Sequence, residues 1–491
     1  MRLIALIVVL IFQFGQIAFA NEYPDNPKVM ISVSQLKSGP KIQNNFIGLS
    51  YEKSKLATPF FRSQNQGVVS LVERLGNGVL RIGAESADFY TWNPNGKGQT
   101  VGEISTKDIL YLRDFLEKTH MTVIYGINLA NNSPSLARDE ALAVRAILGS
   151  LLESFEIGNE PDLYFKRHRS ANYKYHDYSG DWERLASSIR SLSGQFAFVG
   201  PSTVWNLQDF TLPFVLDHGR EVEQITHHYY RGDGQSPDST MEVLLKPDEQ
   251  LLRLLDSLHQ AALPLPRAYR IAETNSFYNG GRPGVSNAFG AALWSINFMM
   301  DCAIHGAWGV NFHGGNGPGP NGGIPGESAG QGYTPLADDG YGHLTSVRPV
   351  YYGLYMFSQL GGGKLLETKS KSTHDNLRSL AVELDNGTIG ILLTNISETN
   401  PESVELNFDQ QIKISGFSRL DLTAPKLDST DKILLGGNQI DIDGQWKGKA
   451  SWTSVLGAKL LVIDLKPASA VFLKILPSAK SYGQVPNKFT N

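Results

Sequence analysis

Eight short apolar runs, separated by amphipathic stretches and mostly closing on polar residues, restrict the fold of this 491-residue chain more than any other feature. They are "FIGLSYE" (46–52), "GVLRIGAES" (78–86), "TVIYGINLA" (122–130), "LESFEIGNE" (152–160), "FAFVGPST" (196–203), "QITHHYY" (224–230), "AYRIAETNS" (268–276) and "AWGVNFHGG" (307–315). Near-continuous hydrophobicity of this length fits strands covered on both faces. Stretches such as "TKDILYLRDFLEKTH" and "QLLRLLDSLHQAA" lie between them and carry apolar residues at helical spacing. Eight strand–helix units within 45–360 predict a (β/α)8 TIM barrel, with "RPVYYGLYMFSQL" as its last helix.

After "GGGK" at 361–364 the texture changes to short alternating stretches such as "LRSLAVEL", "TIGILLTNI" and "AVFLKIL", with turns such as "DNGT" between them. This predicts a C-terminal β-sandwich domain over 361–480, followed by a tail at 481–491. Residues 21–44 contain "KVMISVS", an N-terminal strand expected to join that sandwich. Ahead of it, Arg2, the apolar run from Leu3 to Phe14 and "AFA" at 18–20 read as a secretory signal peptide over 1–20. The single cysteine, Cys302, rules out an intramolecular disulfide and sits in apolar surroundings that suit inert packing. Export without bridges points to a bacterial periplasm or exterior, with no membrane attachment after cleavage.

With 44 basic and 48 acidic residues the chain has no general field for nucleic acid or a highly sulfated polymer. No phosphate-binding loop or Gly-x-Ser-x-Gly elbow is present, and no spacing suggests a metal or another cofactor. His227 and His228 are strand neighbours and face opposite ways, which leaves His228 on the face of Tyr230 as a site-lining donor.

The strand ends carry the chemistry. Glu52, Glu85, Asn128, Asn159, Glu160, His228, Tyr230, Glu273 and His313 all fall at ends that a barrel gathers around one mouth. Glu160 and Glu273 end the fourth and seventh strands and face each other across it. Two carboxyl groups about 5–5.5 Å apart are what a retaining glycosidase needs, one as acid/base and one as nucleophile. A nucleophile kept ionised needs donors, and Arg81 and Tyr230 are placed to supply them. Taken singly, either glutamate is equally readable as half of an ion pair at the barrel rim.

"FEIGNEP", "LRIGAESAD", "THHYY", "ETNSFYNGG" and "HGGNGPGP…GYTPL" together resemble glycoside hydrolase family 79, which holds heparanase and microbial β-glucuronidases. The resemblance runs from Lys28 to Leu476. It implies Glu160 as acid/base and Glu273 as nucleophile, Asn159 on the sugar 2-hydroxyl and Tyr230 hydrogen-bonded to the nucleophile. It further implies Tyr278, the backbone at Gly280 and Tyr333 around a uronic acid carboxylate, and Glu52 on sugar hydroxyls. The implied partner is a glucuronic acid-containing carbohydrate. After "LRIG" this chain has Ala84 and Glu85 where the family often has glycine and a small polar residue. A free carboxylate there would repel an anionic sugar, which favours an exo-β-glucuronidase over a heparanase-like endo-β-glucuronidase or a glycosidase of neutral sugars. A non-catalytic carbohydrate-binding barrel is the alternative outside the enzymes.

Overall fold

The computed structural model describes residues 28–192, 195–315, 332–371, 375–409 and 413–478. The expected leader at 1–20, the tail at 481–491 and most of the glycine-rich loop after the eighth apolar run (316–331) lie outside the described residues.

All eight apolar runs are strands of one closed parallel barrel. In order around it they are Ile47–Glu52, Val79–Gly83, Thr122–Ile127, Leu152–Ile157, Phe198–Thr203, Gln224–Tyr230, Arg270–Asn275 and Gly309–Gly314. The eighth pairs with both the seventh and the first, which closes the ring. Helices at the predicted places cover the outside, among them Thr106–Thr119, Glu249–Ala262 and Pro349–Ser358. The first of these begins on a capping box in which Ser105 and Asp108 satisfy each other's exposed backbone N–H groups.

Beside two small two-stranded sheets, the strands outside the barrel form a ten-stranded, mostly antiparallel sheet. The strand Lys28–Lys41 lies inside it, antiparallel to Lys364–Lys371 and parallel to Glu402–Phe408. The sheet curves over its own core, which joins Val33, Ile391, Val404, Ile463 and Leu473 from strands far apart in its order. Residues of opposite parity, such as Leu380, Leu392 and Phe472, join the core shared with the barrel. This period of two lets one sheet both close a sandwich and dock a second domain.

The helix Phe289–Ile304 runs through that junction, and 14 of its 16 residues are buried. Its rare polar residues are paired to the sheet: Asn297 accepts from Thr394 at 2.7 Å and Asp301 from Arg378 at 2.9 Å. Cys302 is buried on this helix, in the apolar surroundings read from the sequence. Among the described residues no helix is long and apolar enough to cross a membrane.

Candidate active site

The mouth is organised by a cation in its floor. Arg81 is wholly buried in the middle of the second barrel strand. Its Nε donates to Glu156 at 2.6 Å and Nη1 to Glu273 at 2.7 Å and Ser50 at 3.1 Å. Nη2 donates to Asn159 at 2.8 Å and Ser202 at 2.9 Å. A guanidinium has five N–H donors, and these five contacts match them. Strands one, two, four, five and seven are thereby fixed to one planar group.

Glu273 receives a second bond from the Tyr230 hydroxyl, at 2.9 Å to its other oxygen. Burial alone would raise the Glu273 carboxyl, but the fields of His313, His228 and Arg81 and the phenol hold it at about 2. Of the three cationic groups Arg81 keeps its charge at neutral pH, since burial pushes His228 down to about 4. Glu160 goes the other way. Burial, then the charges of Glu273 and Asp162, raise it well above the carboxylate range, against a weaker pull from Arg81 and Lys166. One oxygen of Glu160 and one of Glu273 lie within 4.8 Å of each other.

His228 bridges the two halves of the site. One ring nitrogen, Nδ1, is 2.9 Å from Glu160, and Nε2 is 2.7 Å from the Ser202 hydroxyl. The ring is neutral, so one nitrogen donates and the other accepts, and a single imidazole links the Ser202 hydroxyl to Glu160. His227 faces away, against Thr203 and Thr211, as strand alternation requires. Glu160, His228 and Glu273 are also close enough to share a cation. At Glu273 the Arg81 guanidinium already supplies a positive charge.

The acid-bearing turn is held in an unusual backbone conformation. Glu160 has φ +48° and Ser202 φ +60°, a region costly for residues with a side chain. The two are joined by a bond from the Glu160 N–H to the Ser202 carbonyl at 2.9 Å. Two buried carboxylates clamp the turn. Asp88 accepts from the Asn159 N–H at 3.2 Å and the Tyr164 hydroxyl at 2.5 Å. Asp162 accepts from three successive N–H groups, those of Val204, Trp205 and Asn206.

Around this centre Glu52 accepts from the Ser86 N–H at 2.8 Å and lies 3.7 Å from His313. Burial, partly offset by Ser86, pushes Glu52 up to about 8. Tyr230 and Tyr333 form an apolar cluster with Val204, against which Leu163 and Tyr278 pack. Gly280 has φ +79°, and its carbonyl accepts from the Gly332 N–H at 2.7 Å, so the loop after the seventh strand touches the one after the eighth. Arg81, Asn159, Glu160, His228, Tyr230, Glu273, Glu52, Tyr278, Gly280 and Tyr333 thus gather at one mouth.

Two expectations change. Asn128 caps a turn, donating to the Tyr90 carbonyl and accepting from the Asn131 N–H, and is structural. Glu85 is ion-paired with Arg167 from the loop after the fourth strand. Its charge is locally offset, so repulsion of an anionic sugar by a free carboxylate at 85 does not hold. Sequence reasoning also passed over Glu156, Ser50, Ser202, Asp88 and Asp162. Glu156 had a signal, a single acid inside the apolar "SFEIG" facing a single arginine inside "VLRIG".

No family model matches the chain. Among curated proteins it is 29% identical to a β-glucuronidase of Aspergillus niger over 46% of this chain. It is 24% identical to a β-glucuronidase of Neurospora crassa over 61%, and 22% identical to chicken heparanase over 51%. The matched stretches span 48%, 62% and 59% of those proteins. Among solved structures, a 4-O-α-L-rhamnosyl-β-D-glucuronidase of Fusarium oxysporum superposes with a TM-score of 0.72 at 18% identity, covering 90% of this chain and 100% of that one. A family 51 arabinofuranosidase of Xanthomonas axonopodis gives 0.67 at 15%, covering 91% and 100%. At such identities the likeness is one of fold, a barrel carrying a sheet domain. The names β-glucuronidase and heparanase are those of the glycoside hydrolase family 79 proteins that the chain's motifs resemble.

Proposed function

We propose that this chain is a retaining, exo-acting β-glucuronidase, exported from a bacterial cell, that releases terminal β-linked glucuronic acid from glycosides or oligosaccharides. The observation that carries the reading is the pair Glu160 and Glu273, with oxygens within 4.8 Å and with proton affinities pushed in opposite directions. Two carboxyls about 5 Å apart leave no room for a water between nucleophile and anomeric carbon, and one of them must attack directly. Glu160, protonated, gives its proton to the departing oxygen as the C1–O bond breaks. Glu273, ionised, forms the bond to C1. Glu160 then takes a proton from water, whose oxygen displaces Glu273 and restores the β configuration.

Asn159, held by Arg81, is assigned to the sugar 2-hydroxyl, and Glu52 to other hydroxyls. Tyr278, the backbone near Gly280 and Tyr333 are assigned to the uronate carboxylate, which phenol and N–H donors bind without adding a second cation beside the nucleophile. The near-neutral chain charge supports a small glucuronide over a sulfated polymer. The likeness to chicken heparanase favours the second reading, an endo-β-glucuronidase.

Proton NMR of an aryl β-glucuronide digest tests the mechanism, with β-glucuronic acid expected as the first product. An α first product refutes retention, and no release of glucuronic acid refutes the substrate class. Shortening of a long internal chain without release of terminal units replaces the exo reading with the endo one.

A further inference from the structure

We propose that Trp205 is the stacking wall of a leaving-group subsite, taking a ring with a flat apolar face, either an aromatic ring or the C–H face of a pyranose. The proposal rests on the glycosidase reading of Glu160 and Glu273. The indole follows the fifth barrel strand and is 50% exposed, whereas Tyr230 and Tyr333 of the same mouth are 7% and 4% exposed. A solitary exposed aromatic on a loose loop carries no meaning, but this one is held in place. Asp162, 2% exposed, accepts the N–H groups of Val204, Trp205 and Asn206 at 3.3, 2.9 and 3.1 Å. The edge of Tyr278 meets the indole at 5.5 Å between centroids and 69° between planes. Backbone and ring are therefore held while half of the residue stays open to solvent. That apolar surface contributes only when a second ring covers it.

Its place relative to the acid says which ring. Asp162 lies two residues after Glu160, so the clamp on Trp205 belongs to the acid-bearing turn. The Glu160 N–H also bonds the carbonyl of Ser202, three residues before Trp205. A proton donor faces the oxygen that leaves, and a wall built on the same turn flanks the group attached to that oxygen. The uronate side is bounded by Gly280, Tyr333 and Tyr278, from the loops of the seventh and eighth strands, and Tyr278 is where that side meets the indole.

The test compares Trp205→Ala, Trp205→Phe and wild type on three substrates: p-nitrophenyl β-glucuronide, a β-glucuronosyl-pyranose disaccharide and β-glucuronosyl fluoride, whose leaving group has no ring. Stacking of this kind predicts that Trp205→Ala lowers the kcat/KM ratio of ring-bearing substrate to fluoride by about tenfold. Trp205→Phe should restore much of it. A general folding defect cancels in the ratio. Loss for both ring substrates assigns the wall to either ring type, and loss for one alone names the ring it takes. An unchanged ratio overturns the proposal. Inhibition by free glucuronate provides a second check, and a tenfold rise of its Ki in Trp205→Ala puts the indole on the uronate side and overturns it too. A wild type inactive on all three overturns the glucuronidase reading, and the subsite with it.

Discussion

Replacing Arg81 by methionine keeps an unbranched apolar stem and removes all five donors. Two carboxylates, those of Glu156 and Glu273, then lose their nearest cation inside a floor that is 1% and 6% exposed at those residues. Breaking a buried pair by removing one partner costs about 3–5 kcal/mol, because the remaining charge is stranded. The Glu273 carboxyl points the same way: it is held below its ordinary value of 4.5 by His313, His228 and Arg81, and of these Arg81 is the one still charged at neutral pH. For a carboxyl depressed on folding, that contribution is fully present above 4.5 and disappears as pH falls toward 2. In Arg81→Met burial acts on Glu273 with less opposition, so the carboxyl protonates at a higher pH and sheds its penalty on mild acidification. The deficit relative to wild type should therefore be about 3 kcal/mol or more at pH 7 and clearly smaller near pH 4.5. Urea unfolding at both values measures it. Adding Glu273→Gln to Arg81→Met should recover part of the loss at pH 7, since one stranded charge is gone. A deficit under ~1 kcal/mol, or one that does not change with pH, would show Arg81 to be packing rather than charge compensation.

Glu160→Gln should lower kcat/KM for an alkyl glucuronide by about 10²–10⁴ and for a dinitrophenyl glucuronide far less, since the latter departs without a proton. In wild type the basic limb of kcat/KM should sit well above pH 4.5, because Glu160 is raised and activity is lost as pH climbs through its pKa. Tyr278→Phe should reduce the preference for aryl glucuronide over aryl glucoside by roughly tenfold, the worth of one donor to a charged acceptor. An unchanged preference would make Tyr278 a packing residue. A chain starting at Lys41 loses a strand with hydrogen-bonded neighbours on both sides and should aggregate. Soluble, fully active protein of that length would contradict this.

The barrel was legible because its strands are covered on both faces. Burial on both sides leaves an unbroken apolar run, and the polar residue ending each run marks the mouth. The pairing of Lys28–Lys41 was legible from the same alternation that gives the sheet two apolar faces. What the sequence hid depends on contacts between distant positions. Nothing near Glu85 announces Arg167, 82 residues away and two loops on, so a paired carboxylate was read as a free one. Asp88 and Asp162 are ordinary loop acids until the turn at Glu160 is seen in its left-handed conformation with three N–H groups aimed at Asp162. Ser202 looks like a strand terminus, and only the structure shows its hydroxyl standing between Arg81 and His228.

The same geometry explains why the two glutamates are not interchangeable. Both sit in the mouth, both are desolvated, and each raises the cost of ionising the other. The asymmetry comes from the reach of one planar cation. Arg81 is in the floor, and its five donors extend to Ser50, Glu156, Asn159, Ser202 and Glu273 but not to Glu160. Glu273 takes a direct charged bond and a phenol besides. Glu160 is bonded to a neutral imidazole and feels Arg81 and Lys166 only at a distance. With a single guanidinium for the pair, the carboxylate it touches carries the charge and the other keeps the proton. On the mechanism proposed above, the division into acid and nucleophile is set by an arginine on the second strand, before any substrate arrives.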